Sequence, residues 1–300
     1  SADELSTAVQ AGDNETFLPF DEERYSLIRA DGTTELLTDD KFTFTNGNGT
    51  LQIGNIGTDL SSNQEATLIT TLNKVKPTAK VKRKKQINSI LVDKSKLSGS
   101  GIGKTTLNDG LTFGSYPFGT RVQDEKISLN TPDVLDIHGI FESTDTSDPS
   151  APKLTLSSIN TVDATTTDLL VGEILEGKTS GTIAIFTEQL SDSQISCIPV
   201  NESEFIEGES IFFESSNIQA IVNTVDVPSR NISADFTFNN GQRGTLYNHG
   251  FVTRKSGVDA PSKKIRIYFS NAFFESDDSG DITTVNSYDD FDYKSDIQTI

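Results

Sequence analysis

Three hundred residues at 32.6 kDa suffice for one large or two to three small domains, and a chain of this length buries roughly 75% of its unfolded surface. With 34% apolar residues and a mean hydropathy of -0.35, no stretch approaches the ~20 consecutive apolar residues of a membrane-spanning helix. Acidic residues (44) outnumber basic ones (25), and the net charge of -19 disfavours nucleic acid and anionic lipid as partners; the one cysteine, Cys197, excludes an intrachain disulfide and a thiolate zinc cluster.

At the N-terminus there is no Met and no apolar signal-peptide core, so the chain reads as a segment or processed form. Ala2–Gln10, with Asp3 and Glu4 in a first turn and Gly12 as a stop, is the best helix candidate, and it is the upper limit of helix expected. Residues 1–29 are taken as an N-terminal segment. Beyond them the signal is β: Lys41–Thr45, Ala234–Phe238 and Ile265–Phe269 alternate apolar and polar residues, which sends one face of each run inward. Asp31-Gly32, Asn46-Gly47, Asn48-Gly49, Asp109-Gly110 and Asn240-Gly241 supply the positive φ of tight hairpins.

Three β-rich blocks follow from the composition. Residues 30–145 form the first, with a long basic strand, and Glu142–Pro152 is a linker rich in Ser, Thr, Asp and Pro. Residues 153–227 form the second. There Val171-Gly172-Glu173 and Ala184-Ile185 return 36 positions later as Glu207-Gly208-Glu209 and Ala220-Ile221, which suggests a duplicated unit of about four strands. Residues 228–300 form the third and end in an acidic, aromatic stretch without tail-like polarity, which suggests a longer parent chain. The expected class is all-β: several small domains of hairpins, sandwiches or small barrels.

Ser98–Thr105 has the Gly-Lys-Thr of a phosphate-binding loop. Ser98 stands where the first glycine belongs, and the Asp109-Gly110 turn leaves no room for the helix that would hold the anion, so the segment reads as a loop. The stretch Lys74–Lys85 carries Lys74, Lys76, Lys80, Lys82, Arg83, Lys84 and Lys85 and no acid, leaving -26 on the other 288 residues. An edge strand guarded by lysines and an interface for an acidic neighbour both fit. Nucleic acid is the weaker rival, because no aromatic interleaves the lysines. Near the other end Glu275, Asp277, Asp278 and Asp281, then Asp289, Asp290 and Asp292, form an acidic cluster; Asp277, Asp278 and Asp281 are the calcium candidates, although the spacing of an EF-hand is absent and a solvated loop is the plainer reading. Cys197 lies in an apolar strand-like run, where a thiol is ordinarily buried and inert. His138 and His249 read as structural or turn residues. Among 44 acids no glycosidase pair is singled out, so no catalytic residue and no cofactor are assigned.

Two stretches resemble tail and baseplate proteins of marine contractile-tailed phages, of the cyanophage type. One is Thr106–Glu125 with its continuation from Val134 through Gly139–Ser143. The other, Asn239-Asn240-Gly241-Gln242-Arg243-Gly244-Thr245-Leu246-Tyr247-Asn248-His249-Gly250, is similar to an Asn-Gly-Gln-Arg-x-x-x-Tyr-Asp-His-Gly pattern, with Asn248 in the place of the usual Asp. The block Val171–Ile185 also looks like β modules of such chains. The resemblance implies a virion structural protein of the baseplate wedge or proximal fibre, assembled in the bacterial cytoplasm through contacts with other tail proteins or copies of itself. Asn240, Gly241 and Arg243 are expected to form a structural turn in which Arg243 pairs with a carboxylate. The alternatives are a receptor-binding fibre, where Tyr116, Tyr247 and Tyr268 would face carbohydrate, and a polysaccharide-degrading enzyme.

Overall fold

Alternating polarity becomes strand almost everywhere. A computed structural model describes residues 6–56, 65–97, 109–114, 118–159, 168–243 and 246–291, and among these no helix reaches seven residues. The chain forms two units, residues 1–80 with 279–284 and residues 81–278 with 285–300.

The first unit holds β1 (Thr7–Gln10), β2 (Glu15–Phe17), β3 (Tyr25–Arg29), β4 (Thr34–Glu35), β5 (Phe42–Thr45), β6 (Thr50–Ile53), β7 (Ala66–Thr70) and β8 (Leu72–Lys74). They pair antiparallel in the orders β1-β6-β5, β4-β3-β7 and β2-β8. Phe17, Tyr25, Leu27, Leu37, Leu51 and Ile53 are its core, flanked by the half-buried rings of Phe42 and Phe44. Asn46, Gly47 and Asn48 all take positive φ (53°, 64° and 66°), which closes the β5–β6 hairpin. Two expectations change here. Thr7–Gln10 is a strand registered against Thr50–Ile53, because pairing and alternation outweigh the weak helix signal; Ala2–Leu5 lie outside the described residues. The same pairing ties the 1–29 segment to the block after it, and the division between units falls at Lys80/Val81, inside the expected 30–145 block.

The second unit begins with β9 (Lys82–Val92), β10 (Lys94–Ser95), β11 (Thr112–Phe113), β12 (Lys126–Ser128) and β13 (Val134–Ser143). A barrel segment follows: β14 (Lys153–Ser157), β15 (Ile174–Gly177), β16 (Ile183–Ser191), β17 (Gln194–Pro199), β18 (Ser210–Phe213) and β19 (Ile218–Asp226). Then come β20 (Ser229–Asn231), β21 (Phe236–Asn239), β22 (Gln242–Arg243), β23 (Leu246–Tyr247), β24 (Phe251–Arg254) and β25 (Ile265–Phe274). A four-stranded sheet, β20-β13-β25-β9, packs on a three-stranded one, β12-β24-β21. Val134, Ile140, Ile265, Ile267 and Phe269 from the first sheet meet Ile127, Phe236 and Val252 from the second. Strands expected in separate first and third blocks therefore share one sheet: β25 lies between β9 and β13.

The barrel closes in the order β14-β17-β16-β15-β18-β19, around Leu154, Leu175, Phe186, Cys197, Ile211 and Phe213. Its halves repeat. The β15–β18 ladder pairs Leu175 with Phe213, Glu176 with Phe212 and Gly177 with Ile211, so residues 36 apart exchange places about the Glu176–Phe212 pair. In the β16–β17 ladder Ile185 faces Ile198 and Phe186 faces Cys197, and after a bulge Glu188 faces Ser196. In the β19–β14 ladder Ile221 faces Ser157 and Val222 faces Leu156, and after a bulge at the same place Thr224 faces Thr155. Each half thus has three strands rather than about four, and β14, first in the chain, completes the second half as β17 completes the first. The barrel abolishes its own edges, which removes the sites where a stranger strand would pair.

Candidate functional site

The basic run and the acidic cluster, far apart in sequence, are brought together. Lys74 Nζ lies 2.5 Å from Asp281 Oδ1 and 3.1 Å from Glu15 Oε1. Asp281 Oδ2 also accepts the Thr78 N–H at 2.8 Å and its hydroxyl at 3.1 Å, and Ala79 bridges Ile282. Hydrogen bonds from Lys74 and then Thr78 hold the Asp281 carboxyl below its usual range, and those carboxylates in turn raise the Lys74 ammonium. In the second unit the Asp278 carboxylate accepts the Val81 N–H at 2.7 Å. Lys82 is buried, paired with Asp133, and lies 5.1 Å and 5.3 Å from the ring centres of Phe274 and Tyr288. Arg83 reaches Asp290 at 3.2 Å and Glu275 at 3.9 Å.

The run is also not one long strand. β8 ends at Lys74, the exposed Lys76 turns the chain at φ 57°, the Lys80 N–H is bonded to Ile282, and β9 starts at Lys82. Pro77 lacks the N–H that a continuous ladder needs. Of the calcium candidates, Asp278 and Asp281 are occupied with backbone and lysine, while Asp277 is exposed. Among the described residues no three His, Cys, Asp or Glu stand together as a metal-holding group.

The turn at Asn240 is built by its amides. Asn239 Oδ1 accepts the Gly241 N–H at 2.9 Å, and Asn240 Oδ1 accepts the Gln242 N–H at 3.1 Å. Gly241 has φ 82°, and a Cβ there would lie 2.3 Å from the His249 carbonyl oxygen, so only glycine fits. Gln242 and Arg243 pair with Tyr247 and Leu246 across β22–β23. Gln242 Nε2 then donates to Asp133 at 2.9 Å, linking the turn to the Lys82 pair. The side chains of Arg243 and Tyr247 lie outside the described residues, as do Ser98–Thr105 and Tyr116.

The remaining candidates are structural. Cys197 is fully buried in the barrel, and burial pushes its thiol up to about 12, which removes it as a nucleophile near neutrality. His138 lies beside the Gln86 carbonyl, 3.1 Å from Nε2; burial lowers its affinity for a proton, against the pull of Asp136 and of that carbonyl. His249 is exposed. The buried Tyr268 hydroxyl accepts the Ala151 N–H at 3.3 Å. A cleft of about 580 Å³ between sheet and barrel has Asp136, His138, Asn201, Glu202 and Asn231 in its wall. Its amides hold the loops: Asn201 accepts from Ile183 and donates to Gly181, and Asn231 accepts from Ser233.

Two further carboxylate sites have roles that the sequence does not show. Glu173 takes N–H groups from Leu170, Ser215 and Ser216; Glu209, 36 residues on, takes them from Ile206, Thr179 and Ser180. Each buried carboxylate fastens the hairpin turn of the other half. For Glu209, burial works to raise the carboxyl, and the hydrogen bonds from Ser180, Ile206 and Thr179 outweigh it and hold it low. Within the phage-like stretch, buried Asp124 accepts Gly119 and Arg121 N–H groups at 2.8 Å and 3.1 Å and the Arg121 guanidinium at 3.0 Å. The 36-residue offset marked the first pair as equivalent positions without revealing that they cross over.

Compared with known protein families, curated proteins and solved structures, the chain matches none.

Proposed function

We propose that this chain is a structural component of a contractile phage tail, in the baseplate wedge or proximal fibre region, acting through protein–protein contacts in the virion. The observation that carries the reading is how its charged and amide groups are used: Lys74 and Lys82, Asp124, Glu173, Glu209 and Asp281 all fasten strands and turns to one another. A chain of small, separately cored β units braced in this way suits a part that must keep its shape in an assembly. The resemblance of residues 106–143 and 239–250 to tail and baseplate proteins supports the same reading, and the Asp124 clamp and the Gly241 turn give parts of those stretches a mechanical reason. Assembly in the host cytoplasm and incorporation into the tail follow from it.

The test is mass spectrometry of purified particles, followed by labelling of residues 74–85 and electron microscopy. Stoichiometric recovery with label at the tail end is the expected result. Recovery only as free protein in lysates overturns the reading and directs attention to activity on host polysaccharides.

A further inference from the structure

Independently of the assembly reading, we propose that the first unit binds a small amphipathic anion, a carboxylate on an alkyl chain, in the gap between its two three-stranded sheets. A pocket of about 730 Å³ lies there, lined by residues of β1 from one sheet and of β3 and β7 from the other. Part of its wall is apolar: Leu27 and Ile56 belong to the buried core of the unit, and Val9 and Leu68 pack half-buried against that core. Ser6, Thr7 and Thr67 add hydroxyl groups, and Ala66 contributes only a methyl group to the lining. An apolar wall with a few polar groups is the composition of small-molecule sites.

Arg29, which also lines the pocket, selects the head group. Both of its hydrogen bonds leave from Nη2, to Glu35 Oε2 at 2.6 Å and to the Ile56 carbonyl, and among the described residues Nε and Nη1 have no acceptor. Glu35 also pairs with Lys41, 2.9 Å from its Oε1, so two cations share one carboxylate and the cluster keeps a net positive charge. Arg29, Glu35 and Lys41 leave only 27%, 17% and 15% of their side-chain surface in water, which limits the screening of that charge. A ligand carboxylate accepts a charge-assisted hydrogen bond from the remaining guanidinium donors and neutralises the cluster. Its chain covers Val9, Leu27 and Leu68, which an anion without a tail leaves wet. Glu65, an acidic group on the same lining, is exposed, and water screens its repulsion.

The test is isothermal titration of decanoate, below its micellar concentration, into the full chain, repeated with decylammonium (the same tail, opposite charge) and with acetate (the head group alone). The expected result is saturable binding of decanoate at one site per chain, with decylammonium and acetate each weaker by about tenfold or more. Ala66→Trp, which puts an indole into the space from an exposed position, should weaken decanoate by about tenfold or more. Arg29→Gln should remove the preference for decanoate over decylammonium. No saturable binding of decanoate, equal binding of decylammonium, or unchanged binding in Ala66→Trp overturns the proposal. Arg29 also ties Glu35 to the Ile56 carbonyl, so if Arg29→Gln loses its fold by circular dichroism, the two probe ligands and Ala66→Trp decide the outcome.

Discussion

At the scale of single residues, the reciprocal glutamates make the sharpest statement. Glu173 and Glu209 are both buried, and each accepts bonds from N–H groups of the hairpin turn in the other half of the barrel. Replacing either by Gln removes the charge and turns an NH2 group toward donors, so Glu209→Gln and Glu173→Gln should each cost about 1–3 kcal/mol in urea unfolding. Equal stability in both variants would mean that water serves those turns as well as carboxylate does. Glycine offers a second comparison, because Gly32 and Gly241 share φ 82° but differ in surroundings: nothing lies within 4 Å of a Cβ at Gly32, and the His249 carbonyl lies 2.3 Å from one at Gly241. Gly32→Ala should cost about 1 kcal/mol from backbone strain alone, and Gly241→Ala about 2–3 kcal/mol, read as the shift in denaturation midpoint.

At the scale of elements, the internal twofold of the barrel explains which of its halves docks. The outward position filled by Ile198 in β17 corresponds to Ser157 in β14, since they face the equivalent residues Ile185 and Ile221. Ile198 packs with Phe141, Ala151 and Tyr268 of the sheet side, while Ser157 hydrogen-bonds Asn223 at 2.6 Å. Ile198→Ser should cost about 3 kcal/mol from lost burial and a hydroxyl in an apolar seam, whereas Ser157→Ile should stay within about 1 kcal/mol. Similar costs in the two variants would mean that the apolar seam does not distinguish the halves. Alternation made the strands legible: Ile265, Ile267 and Phe269 do face a core. It did not show that Tyr268, on the opposite face, is buried as well, because Arg266 and Ser270 share that face and give it the polarity of a solvent side. The 36-residue offset was legible because both halves need glycine at φ near 90° in the same turn (Gly172 at 91° and Gly208 at 85°). The crossing of the glutamates and the meeting of Lys74 with Asp281 were not, since side-chain partners 29 to 43 residues apart in the first case, and about 200 in the second, leave no local trace.

At the scale of the whole molecule, acid should be the condition that discriminates. Hydrogen bonds and cations hold Asp31, Glu35, Asp124, Asp145, Glu209 and Asp281 below their usual values of 3.8 and 4.5. In that range the unfolded chain binds more protons than the folded one, so the stability these groups contribute is present above about pH 4.5 and is lost as pH falls through their folded values. His138 acts in the same direction but earlier: burial lowers it from 6.5, so the unfolded chain takes up its proton first and stability begins to fall as pH drops below that value. The expected profile, from thermal melts followed by circular dichroism between pH 8 and 3, is a plateau, a shallow decline starting near pH 6.5, and a steep one below about pH 4.5. His138→Gln should abolish the shallow decline and leave the steep one in place, because the carboxylates are untouched. A wild-type profile that stays flat down to pH 4.5, or a steep decline that disappears with His138, would show that the half-buried imidazole and the tied carboxylates do not divide the acid response between them.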